Sequence, residues 1–81
     1  MALRFWGKDP DSDTGQCPSV WVDEATGDLV VQGWKATEVE QDECRRAGEI
    51  PDTEAVVRIP ATMTKILREA CDDADRRRAG L

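Results

Sequence analysis

The chain has 81 residues, 35% of them charged, with a formal net charge of −6 and neither histidine nor tyrosine. That length suits one small domain whose core is too modest for high stability without help from a disulfide, a metal or a second subunit. The acidic balance argues against non-specific attraction to nucleic acid or anionic membranes, and no apolar run approaches the roughly 18 residues a membrane span requires.

The first eight residues, MALRFWGK, lack the apolar stretch and cleavage site of a secretory signal, so the expected address is the cytoplasm. The alternation Leu3-Arg4-Phe5 suits a short strand at the edge of a sheet. Phe5 and Trp6 have two readings: an aromatic anchor for a partner, or one end of a core poor in aromatics. Residues 9–16, DPDSDTGQ, read as a solvated acidic loop held by Asx- and Pro-type turns. Its acids at 9, 11 and 13 invite comparison with a calcium loop. Counting from Asp9, however, the sixth position is Thr14 and the twelfth Val20, where a hand-type loop needs glycine and glutamate.

The stretch Pro18–Lys35 organises the rest. Val20, Trp21 and Val22 form one arm of a β-hairpin and Leu29, Val30 and Val31 the other, with Gly27 supplying a positive φ in the polar loop between. Val20 and Val22 share a face; Trp21 lies opposite. On the second arm Leu29 and Val31 oppose Val30 and Trp34, so both faces are apolar and this arm reads as the central strand. Gly33 marks a bulge or the close approach of another backbone. The face carrying Trp21, Val30 and Trp34 is either a second small core or a contact surface, since exposed apolar patches often mark partners.

Thr37 and Glu40 form a capping box that starts a short surface helix with only Val39, Cys44 and Ala47 to bury. Gly48 is expected just past its end in the left-handed conformation. A turn at 50–53 leads to a third strand over 54–59, stopped by Pro60. Met63, Ile66, Leu67, Ala70, Cys71 and Ala74 then fall on one helical stripe, with Asp72 and Asp73 among the charged residues opposite. Arg76, Arg77 and Arg78 suit the negative end of that helix. The expected fold is α+β: a small antiparallel sheet, hairpin 19–34 plus strand 54–59, with an amphipathic helix over 61–78 packed on one face.

Enzyme chemistry finds little support. Without histidine the commonest general base is missing, and there is no phosphate-binding glycine loop or nucleophile elbow. The carboxylates fall in polar loops or on exposed helix faces, where nothing would raise a pKa. Cys17, Cys44 and Cys71 are odd in number and include no C-x-x-C pair. A three-cysteine metal site would need a carboxylate or another chain for its fourth ligand, so they read as buried or half-buried free thiols. No cofactor or metal is expected.

Two resemblances bear on function. The segment from Ala55 to Ala70, AVVRIPATMTKILREA, resembles the strand and first helix of ribbon-helix-helix DNA-binding proteins, whose strand pairs with its twin across a dimer and enters the major groove. Glu54, Val56 and Arg58 would then face DNA. The chain stops before a second helix and is acidic, which departs from that pattern. The second covers more of the chain. Gly7-Lys8-Asp9-Pro10, Cys17-Pro18, Val31-Gln32-Gly33-Trp34-Lys35 and the run from Ile50-Pro51 to Ile59-Pro60 look like those of small actinobacterial proteins of unknown function, encoded beside helix-turn-helix regulators. Eight arginines against three lysines fit a GC-rich genome. This resemblance implies an accessory protein acting through another protein. The expected function is a non-enzymatic protein–protein interaction module, accessory to a transcriptional regulator. Its partner-binding residues would be Trp6, Trp21, Val30 and Trp34, with homodimerisation offsetting the small core. The alternative is a ribbon-helix-type DNA-binding dimer using 54–59.

Overall fold

The structure, a computed structural model, describes residues 2–11 and 17–80. Strand β1 (Leu3–Lys8) pairs antiparallel with β2 (Ser19–Asp23), which pairs antiparallel with β3 (Leu29–Gln32), giving the order β1-β2-β3. Two residues each from β4 (Trp34–Lys35) and β5 (Val57–Arg58) make a second antiparallel ladder. Between them runs helix α1 (Glu38–Arg45). A single 3-10 turn (Ala61–Met63) leads into helix α2 (Thr64–Arg78), which packs on one face of the three-stranded sheet. The α+β fold with its covering C-terminal helix is as expected.

The core forms where α2 meets the hairpin. Val20 and Val22, on one face of β2, are fully buried together with Met63 and Ala70. Trp6, Val31, Ile59, Ile66, Leu67 and Ala74 pack around them. Gly27 takes φ +80° in the hairpin loop, where a side chain would also strike the Ala74 carbonyl.

Several expectations need correction. The first hairpin arm, not the second, is central, because β1 occupies the far edge of β2. As an edge strand β3 leaves Leu29 and Val30 more than a third exposed. Of segment 54–59 only Val57 and Arg58 pair, and they join β4 rather than the main sheet. Gly48 has no positive φ; α1 closes instead on Arg46 in ordinary helical conformation. No residue of α1 is buried, and Val39 is 74% exposed. The expected stripe holds at Met63, Ile66, Leu67, Ala70 and Ala74 and departs from expectation at one of its positions, Cys71. Asp73 is buried and Cys71 exposed, because Trp6 and Arg77 supply partners that draw the carboxylate inward.

The acidic loop also differs at its start. Asp9 is buried, not solvated: its Oδ1 accepts from the Thr62 hydroxyl at 2.5 Å and from the Asp11 backbone N–H at 3.2 Å. The rest of that loop, including Asp13 and Thr14 of the calcium comparison, lies outside the described residues.

Gly33 shows the close approach that its place in the strand suggests. A Cβ there would sit 2.7 Å from the Arg58 carbonyl oxygen, which is backbone and cannot swing aside. Gly33→Ala is therefore expected to cost about 1–3 kcal/mol by forcing β5 away from β4. Urea denaturation would register it as a lower midpoint, and an unchanged midpoint would refute the contact.

Candidate functional site

A bulge sets the character of the sheet's two faces. Phe5 lies opposite Trp21 and Gly7 opposite Val20, so Trp6 is an extra residue in β1. The consequence is that Trp6 and Gly7 both face α2. Phe5 stays on the face away from α2, whereas Trp6 turns toward the helix and its indole N–H donates to Asp73 Oδ2 at 3.2 Å. Gly7 then passes beneath Ile66, where a Cβ would lie 3.0 Å from Cγ2.

The face away from α2 is built by alternation along the three strands. Phe5, Trp21 and Val30 lie side by side across β1, β2 and β3, and the Phe5 and Trp21 rings meet edge to face at 5.7 Å. Leu3 extends the row along β1. Phe5 is 54% exposed, and Leu3 and Val30 are each more than a third exposed. Trp21 is only half-buried, beneath Phe5 and Val30. Apolar side chains in a row on a sheet face normally find a covering layer. Here α2 covers only the opposite face.

The four residues singled out from the sequence are thus divided. Trp21 and Val30 are direct cross-strand neighbours. Trp6 is on the other face, committed to Asp73, with the Arg4 guanidinium 5.3 Å from its ring centroid. Trp34 belongs to the second ladder and is 49% exposed. Phe5 and Leu3 complete the open row instead. The pairing of residues 3–5 with 21–23 supplies them.

The perturbed carboxylates are held as anions. The Arg77 guanidinium, bonded through Nε at 2.8 Å, is the main cause of the lowered Asp73 pKa, with the Trp6 N–H adding to it. Arg77 is raised in return by Asp73, with Glu24 3.6 Å from its other arm. Glu40 is lowered first by the Thr37 backbone N–H of the capping box and then by Arg58, with which it forms an ion pair. Among the described residues no buried side-chain nitrogen or oxygen lacks a hydrogen-bond partner. Asp73 left one clue in the sequence, the i,i+4 spacing to Arg77. Asp9 left none, because Thr62 is far away in the chain.

The cysteines do not converge. Cys17 is buried just before β2, while Cys44 on α1 and Cys71 on α2 are exposed free thiols. Among the described residues no group of three or more His, Cys, Asp or Glu could hold a metal ion. None of the described helices is long and apolar enough to cross a membrane. The 54–59 segment pairs within its own chain, with Val57 opposite Lys35 and Arg58 opposite Trp34. No family model matches the chain, and neither a curated protein nor a solved structure matches it.

Proposed function

We propose that the chain is a non-enzymatic protein-interaction module that docks a partner on the open face of its three-stranded sheet. The observation that carries this reading is the uncovered apolar row Leu3, Phe5, Trp21 and Val30. In a small domain such side chains would stabilise more by burial, and leaving them on a half-bare sheet suits a surface completed by another molecule. The electrostatics point the same way. The carboxylates with shifted pKa, Asp73 and Glu40, are lowered and tied to arginines, whereas a general acid would be raised. Exposed free thiols at Cys44 and Cys71 suit a reducing compartment such as the cytoplasm, and the resemblance noted from the sequence makes a transcriptional regulator the expected class of partner.

Photo-crosslinking in producing cells tests this directly. A benzophenone amino acid at position 5 should give one discrete adduct, whose second component is then identified by mass spectrometry. The same group at position 39, on exposed α1, should give none. An adduct of two copies of this chain would make the partner a twin. No adduct at position 5, or equal labelling at both positions, would end the reading.

A further inference from the structure

We propose that the groove between the β4–β5 ladder and α1 binds a short apolar peptide with both ends free, its carboxylate at Lys35 and its ammonium at Glu54. The groove is a cavity of about 510 Å³, walled mainly by Val31, Ala36, Ile50, Ala55, Val56 and Val57. That volume falls within the range of sites for small organic ligands, which pair apolar walls with a few polar groups.

The polar groups select the ligand. Lys35 and Glu54 are the charged side chains in the wall. Among the described residues neither makes an ion pair, whereas Arg45, Arg46 and Arg58 nearby in the chain are all paired. Gln41 is already engaged, donating to the Ala36 carbonyl at 3.1 Å and accepting from Arg45 at 3.4 Å. A ligand with only a carboxylate would meet Lys35 but be repelled by Glu54, and a simple amine would meet the reverse. A pure hydrocarbon would partly desolvate both charges and answer neither. A zwitterion with an apolar body answers both, through charge-assisted hydrogen bonds at its two ends. The backbone favours a peptide over other zwitterions. Ala55 in the wall makes no hydrogen bond among the described residues, leaving one N–H and one C=O to pair with a ligand's own amide groups. This site lies apart from the open face of the three-stranded sheet and stands or falls independently of it.

The test is a titration of the ¹⁵N-labelled full chain with the tripeptide Ala-Leu-Val, free at both ends, followed by its N-acetylated and C-amidated forms. Saturable shifts are expected at the amides of Val31, Lys35, Ile50, Ala55 and Val56. Blocking either end should weaken binding by about tenfold, the size of one charge-assisted contact. Lys35→Gln should bind the free and amidated peptides alike, and Glu54→Gln the free and acetylated ones alike. Both side chains are exposed, so these variants should fold, and their spectra report that directly. The proposal is overturned by no saturable shift up to about 10 mM peptide, a range that covers even weak binding. Shifts centred elsewhere, or an affinity that ignores the blocking of either end, overturn it as well.

Discussion

Truncating Met63 to alanine is expected to lower the unfolding free energy by about 2–5 kcal/mol, the usual range for removing a long buried side chain from a core. Met63 is fully buried at the junction of the 3-10 turn and α2, against Val20 and Val22. A chain of 81 residues is worth only about 4–12 kcal/mol in all, at typical stability per residue. The loss would therefore be a large share of the total. Urea denaturation should show a much lower midpoint with an unchanged slope. Val39→Ala, on the exposed side of α1, should move the midpoint by less than about 0.5 kcal/mol equivalent. Comparable losses at the two positions would mean that the core does not lie between α2 and the hairpin.

Asp73→Asn is expected to change how stability depends on acid. In the folded chain the Asp73 carboxyl is held below its ordinary value by Arg77, with help from the Trp6 N–H. The unfolded chain lacks both and takes up a proton near the ordinary aspartate value of about 3.9. The anion's contribution is therefore complete above that pH and is lost as pH falls through the lower folded value. Melting temperatures measured from neutrality down through about pH 4 and below should fall more steeply for the parent chain than for Asp73→Asn. At neutral pH the variant should melt earlier, because Arg77 loses its nearer partner. Glu40→Gln removes another lowered carboxylate, on a more open arm of the molecule, and serves as the comparison. Parallel acid limbs for the parent and Asp73→Asn would dismiss the network as a source of stability.

The parts legible in the sequence are those set by short-range pattern. Val20 and Val22 alternate about Trp21, and Thr37 and Glu40 stand three apart; each needs only its neighbours, and each appears as expected. Gly27 and Gly33 were legible because a backbone that demands missing side chains leaves glycine as its mark. The places where the structure departs furthest from the local pattern depend on distant partners. Asp73 looked solvent-facing until Trp6, 67 positions away, supplied an N–H. Asp9 looked like part of a polar loop until Thr62 reached it. The second hairpin arm is apolar on both faces, a pattern that suits a central strand, yet β3 lies at the edge of the three-stranded sheet with Leu29 and Val30 more than a third exposed. Of the open row, Trp21 and Val30 are legible within the hairpin, whereas Phe5 joins them only through the pairing of β1 with β2.

The bulge at Trp6 has a further consequence, for how the chain behaves at high concentration. β1 is an outer strand, and a straight outer strand presents an unbroken row of amide and carbonyl groups on which a second molecule can build. The extra residue between Phe5 and Gly7 breaks the repeat of that row. A neighbouring copy in regular register could match Leu3–Phe5 or Gly7–Lys8, but not both. The irregularity beside Trp6 thereby hinders the β1 edge of an apolar, half-bare sheet from growing strand by strand into fibrils.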